Sequence, residues 1–84
     1  MNKEGILSKL KKFILLYADT EEDKVVPEVL LHGDLGLLDD MDFFGVLMKI
    51  EEEFDIEIPD KDAAELSNVG DVLNYILAKV GAKS

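Results

Sequence analysis

The chain has 84 residues, no cysteine and a formal net charge of −10. A chain of this length holds one small core, burying about 60–65% of the surface it exposes when unfolded, and without thiols it has no disulfide framework, cysteine nucleophile or zinc–thiolate site. The charge repels nucleic acid and anionic membranes and attracts basic surfaces, and it is uneven: four Lys and one Glu lie in residues 1–12, five Lys and eighteen Asp or Glu in residues 13–84.

Ile6, Leu7, Leu10, Phe13, Ile14 and Tyr17 recur at spacings of three and four. That spacing predicts an amphipathic helix over about 3–17. Its lysines are mixed among the apolar positions, unlike a signal peptide, and no apolar run reaches the ~18 residues of a membrane span. A cytoplasmic monomer without membrane insertion is expected. Residues 18–38 read as a long connection. Pro27 disfavours helix at Val26, yet Val25, Val26, Val29, Leu30 and Leu31 are apolar enough to pack across the core. Gly33-Asp34-Leu35-Gly36 reads as a turn. The lone His32 reads as a loop or partly buried residue rather than a metal ligand.

A second helix is expected over about 40–54, with Asp39 as N-cap and Asp40 and Asp42 in the first turn, where negative charge suits the helix dipole. Its core stripe is read as Phe44, Leu47, Ile50 and Phe54 with Val46 beside them. Met41, Phe43 and Met48 fall at its margins. Ile56 and Ile58 alternate like a strand but have no partner strand, so they are read as an ordered loop feeding the core. After Pro59 a short helical turn is expected over 60–66, with Ala63 and Leu66 inward. A last helix over about 68–80 is capped by Ser67 or Asn68 and ended by Gly81, its stripe being Val69, Val72, Leu73, Ile76, Leu77 and Val80. The fold class is all-α: a four-helix bundle, three helices longer and one short, with a long loop after the first, in a single domain over 1–84.

The segment Asp34-Leu35-Gly36-Leu37-Leu38-Asp39-Asp40-Met41-Asp42 resembles the phosphopantetheine attachment segment of acyl carrier proteins, where a helix opens with Asp-Ser-Leu or Asp-Ser-Met. Ile50 to Asp60 resembles the family's Glu-rich helix end and its Ile-Pro-Asp turn, and Val69-Gly70-Asp71 with Tyr75-Ile76 resembles its last helix. The resemblance covers essentially the whole chain. It implies a non-enzymatic carrier that shuttles thioester-bound acyl intermediates in fatty-acid or related biosynthesis. Its cofactor is 4'-phosphopantetheine, and its partners are the phosphopantetheinyl transferase and the basic surfaces of acyl-chain enzymes. Asp40 marks the attachment position, framed by Asp39, Met41 and Asp42. Glu51, Glu52 and Asp55 are expected contacts for basic partners, together with Met41, Phe43 and Met48 as an apolar patch.

Two positions depart from the family's pattern. Asp40 stands where the attachment serine is expected. A carboxylate joined to phosphate is a mixed anhydride that hydrolyses readily, so the cofactor is expected not to be attachable here. Such a chain is either an engineered attachment-site variant or a natural carrier turned to another use. Gly45 stands where the family usually has an acidic residue that partners contact, and glycine costs about 1 kcal/mol against alanine inside a helix. Two other classes fit parts of the chain. One is an acidic interaction module with no acyl role. The other is a calcium loop, since Asp40, Asp42, Gly45 and Glu51 match four positions of that template, although Phe44 fails a fifth. Catalysis by the chain itself is not expected, because it has no cysteine and no plausible His-based relay, and its carboxylates lie on solvated faces.

Overall fold

A computed structural model describes residues 2–33 and 36–83. Its helices are α1 (Lys3–Leu15), α2 (Asp40–Phe54), α3 (Asp60–Ala63) and α4 (Val69–Lys83), with one 3₁₀ turn at Glu22–Lys24 in the long connection. This is the expected all-α bundle of three long helices and one short. α1 packs against both α4 and α2.

Asn2 starts α1 by accepting a hydrogen bond from the Gly5 N–H at 2.7 Å, which satisfies one of the orphan donors of the first turn. Ile6, Leu10 and Ile14, four residues apart, are fully buried. The helix stops at Leu15 rather than Tyr17. Leu16 and Tyr17 donate back to Phe13 and Ile14 in i→i−3 bonds, so the last turn tightens and swings Tyr17 out of the core line. Tyr17 is 37% exposed.

The connection lies across the core. Val25, Leu31 and Leu38 are buried in it, while Val26 and Leu30 face outward. Leu31 N–H donates to the Ser67 carbonyl at 2.8 Å, Val69 N–H to Val29 at 3.0 Å and Gly70 N–H to Pro27 at 2.9 Å. Leu30 and Asn68 form an isolated antiparallel bridge. The expected turn at 33–36 closes through Gly36 N–H to the Gly33 carbonyl at 3.1 Å; Asp34 and Leu35 themselves lie outside the described residues. A Cβ at position 36 would sit 2.5 Å from the His32 backbone, so only glycine fits there.

α2 ends on Asp55, held in the left-handed conformation at φ 53°, ψ 52°, which Asp tolerates better than most residues. Ile56 and Ile58 then turn inward, each 8% exposed. Glu51 pins this segment, its carboxylate accepting the Ile58 N–H at 3.0 Å. No strand ladder forms among the described residues. α3 is shorter than expected: only Asp60–Ala63 is α-helical, and the chain turns through Ala64 and Glu65 to bury Leu66. Asn68 caps α4, accepting from Asp71 N–H at 2.7 Å, and Asp71 reciprocates toward the N–H groups of Ser67 and Asn68, a capping box in form. Val69, Val72, Leu73 and Ile76 are buried, with Leu77 and Val80 packed against them. Gly81 does not end the helix, which continues to Lys83. Gly81 lacks the positive φ of a C-terminal glycine cap.

The core is wholly apolar among the described residues, so burial rather than buried pairing holds the bundle together. One polar tether ties its short helix down. Tyr75 on α4 donates to the Asp62 carboxylate on α3 at 2.7 Å. Burial first, then the bond to Asp62 and its charge, push the Tyr75 phenol up from 10.0 to about 12. The folded chain therefore keeps this proton above the pH at which the unfolded chain loses it. The associated stabilisation is complete below pH 10 and is lost as pH rises from about 10 to 12. In a Tyr17→Phe variant, which leaves Tyr75 as the one tyrosine of the original two, tyrosinate absorbance should appear near pH 12, with the urea midpoint falling over the same range. Ionisation near pH 10 would contradict the tether.

Candidate functional site

The N-terminal end of α2 is assembled from both sides. Leu38, buried at 3% exposure, anchors the approach, its N–H donating to the Leu31 carbonyl at 2.7 Å. Asp39 follows as N-cap, its Oδ1 accepting from Asp42 N–H at 2.8 Å. Asp40 is thereby the first helical residue, exposed, in a turn whose free N–H groups and dipole favour negative charge. Met41 points to solvent at 83% exposure, and Asp42 is partly buried. Asp39, Asp40, Met41 and Asp42 are thus brought together as one acidic helix start, and no residue from 36 to 54 carries a hydroxyl.

Beside Asp40 lies an open cleft of about 190 Å³ between α2 and α3. Phe43, Phe44, Ala63 and Ala64 form its apolar walls, His32 adds a ring, and Asp40 and Asp60 supply its carboxylates. His32 stacks on Phe43 with ring centroids 4.2 Å apart, and its Nε2 lies 2.6 Å from the Leu66 carbonyl. That contact requires Nε2 to carry a proton and donate it. His32 is therefore a half-buried structural residue that closes the cleft's inner end. Among the described residues no group of three or more His, Cys, Asp or Glu side chains is placed to hold a metal ion.

Two site expectations are corrected. Phe43 is not on the surface: it is 3% exposed, while Phe44 is 49% exposed. Successive helical residues differ by about 100° in direction, and the register of Val46, Leu47, Ile50 and Phe54 turns Phe43 inward, where it stacks on His32. Glu51, partly buried, also has a structural role, since its Oε2 accepts from Ile58 N–H at 3.0 Å. The calcium-loop template fails, since residues 40–51 form uninterrupted helix and offer no loop to wrap an ion. Glu52 and Asp55 are exposed, and Met48 is 60% exposed.

Sequence reading missed Tyr17 as a neighbour of this face. A Cβ built on Gly45 would lie 2.9 Å from both Cζ and the hydroxyl oxygen of Tyr17. The ring occupies the space a side chain at position 45 would need. The signal was present as a glycine in mid-helix, unexplained by any turn.

Comparison with known proteins agrees with this geometry. The family described as "Phosphopantetheine attachment site" matches residues 10–76. The acyl carrier protein of Thermosynechococcus vestitus is 42% identical over 82 residues, covering 98% of this chain and all of the relative. A solved structure of the acyl carrier protein from Enterococcus faecalis superposes with a TM-score of 0.78 at 32% identity, covering 94% of this chain and 99% of that one.

The Tyr17–Gly45 contact is open to a double-mutant cycle. In a Tyr17→Ala background, Gly45→Ala should stabilise the chain by about 1 kcal/mol through helix propensity. With Tyr17 present the gain should shrink or reverse, because the ring must move. Equal gains in both backgrounds, by urea denaturation, would contradict the contact.

Proposed function

The chain belongs to the acyl carrier family, with its phosphopantetheine-attachment domain, and from that premise we propose that it is an attachment-defective carrier. The family acts in fatty-acid or related biosynthesis as a carrier and not as an enzyme, and this chain has its fold. The finer reading rests on one observation. The residue that opens α2 is a carboxylate, Asp40, and no hydroxyl lies between residues 36 and 54. A durable phosphodiester needs a hydroxyl oxygen. The residues present do not fit the prosthetic group, although the helix start around them would suit a phosphate.

Partner contact is the function that remains. Asp39, Asp40 and Asp42 keep the site's negative charge. Exposed Glu52 and Asp55 offer carboxylates to the basic surfaces of acyl-chain enzymes and of the phosphopantetheinyl transferase, with Met41 and Met48 adding apolar area. The setting we propose is a cytoplasmic monomer; no helix among the described residues is long and apolar enough to cross a membrane. A second reading, an acidic interaction module with no acyl role, draws on the exposed Met41, Phe44 and Met48. It differs in what restoring the hydroxyl achieves.

Asp40→Ser should restore attachment. Incubated with coenzyme A and a broad-specificity phosphopantetheinyl transferase, this variant should gain a stable adduct at residue 40 by intact mass and peptide mapping. A serine variant that stays unmodified with several transferases would remove the carrier reading and leave the interaction module.

A further inference from the structure

Asp40 and Asp60 differ from the other carboxylates around them. Asp39 caps α2, Glu51 holds Ile58 and Asp62 holds Tyr75. The carboxylates of Asp40 and Asp60 meet no hydrogen-bond donor and no cation among the described residues. Both line the cleft between α2 and α3, one from each side, and no lysine lines it. The cleft therefore carries two uncompensated negative charges.

Its α2 wall is aromatic. His32 stacks on Phe43 with centroids 4.2 Å apart, and Phe43 meets Phe44 at 6.2 Å and 55°, so three rings run in series. Phe43 is buried and Nε2 of His32 is committed to the Leu66 carbonyl. The half-exposed ring of Phe44 is the accessible face. On the α3 side Ala63 and Ala64 fill little space, which leaves the cleft its volume of about 190 Å³.

These features sort the ligands. Phosphates and carboxylates are repelled by the paired charge. A calcium ion takes about six to eight oxygen ligands, and hydrocarbon walls beside two carboxylates cannot supply them. A neutral apolar molecule would strip water from both charges and give them nothing in return. An ammonium ion on an apolar body meets every requirement. Its N–H groups donate to the carboxylates in charge-assisted bonds, the Phe44 ring attracts the cation, and the body covers the apolar walls. A cavity of about 150 Å³ admits benzene, so the body is about one ring in size. We infer that the α2–α3 cleft binds a small amphiphilic amine, with one primary ammonium group on the Asp40 and Asp60 carboxylates and an apolar body of about one benzene ring against Phe44 and the alanine wall. Asp40 supplies the second of the two charges. The inference goes beyond the carrier reading and requires neither attachment chemistry nor a protein partner.

The probe is 2-phenylethylammonium, titrated into the unaltered full chain and followed by NMR. Saturable shifts should cluster at His32, Asp40, Phe44, Asp60 and Ala63 at about millimolar concentration, as the ligand's size implies. The neutral analogue 2-phenylethanol should bind about tenfold more weakly, and 3-phenylpropionate should leave these resonances in place. n-Butylammonium, with the head group and chain of a lysine side chain, should bind severalfold more weakly than the aryl amine. Asp40→Asn, Asp60→Asn and Phe44→Leu alter exposed positions and should keep the helical circular dichroism. Each should lower amine affinity severalfold, and the two Asn variants should leave binding of the alcohol unchanged. Glu52→Gln, which removes an exposed carboxylate outside the cleft, should have no effect. Equal binding of amine and alcohol would overturn the inference. So would equal binding of butylammonium, which describes a surface that reads lysine, or a loss with Glu52→Gln as large as that with Asp40→Asn, which describes diffuse attraction to net charge. Attachment to an Asp40→Ser variant decides the carrier reading alone; amine titration of the unaltered chain decides this one alone.

Discussion

The 2.8 Å bond from Leu31 N–H to the Ser67 carbonyl ties the long connection to the segment that enters α4, and the upper end of the molecule is arranged around it. With Leu31 held, Leu38 can donate to the Leu31 carbonyl and bury its side chain, which delivers Asp39 to the start of α2 as a cap. His32, next to the tether, reaches the Leu66 carbonyl and stacks on Phe43. The same short stretch thus helps set where α2 begins and covers the inward face of Phe43 beside the cleft toward α3. Buried backbone groups must find partners, and a long connection crossing a core has few ways to do so. Pairing with residues 66–70 is the one found here.

That arrangement places residue 40 without constraining its side chain. The carboxylate of Asp40 is exposed, complements the helix dipole and needs no partner to be stable there. A helix start built to favour a phosphate also tolerates a carboxylate, because both are anions. On the proposed reading, fold and site charge persist while the attachment hydroxyl is replaced by a carboxylate. Structure at this end is set by backbone and caps, whereas the chemistry rests on a single side-chain atom type.

Much of this was legible in the residue pattern. The apolar spacings of α1, α2 and α4, the Asp39 and Asn68 caps, and the inward placement of Ile56, Ile58, Ala63 and Leu66 all follow from local rules that tertiary packing did not override. Phe43 and Phe44 are equally apolar, but Phe43 lies in the arc of Val46, Leu47, Ile50 and Phe54 while Phe44 lies about 100° away, a register the spacing carried and the reading misjudged. What was not legible depended on contacts between distant segments. Glu51 reads as one of three surface carboxylates until the Ile58 N–H is seen beside it. The end of α1 at Leu15 and the continuation of α4 past Gly81 reflect how terminal turns close, which periodicity does not encode. Gly45 looked like a lost charge, and the position of Tyr17 recasts it as a fitted gap. The outer face of α2 is correspondingly more apolar than the chain's acidic composition suggests.

The central claim is that this carrier frame holds a carboxylate where attachment chemistry needs a hydroxyl. It is tested most directly by weighing the unaltered chain after co-expression with a broad-specificity phosphopantetheinyl transferase in a cell that supplies coenzyme A. The expected result is the mass of the bare polypeptide, with the peptide spanning residues 39–42 unmodified. A stable phosphopantetheine adduct localised to that peptide would contradict it.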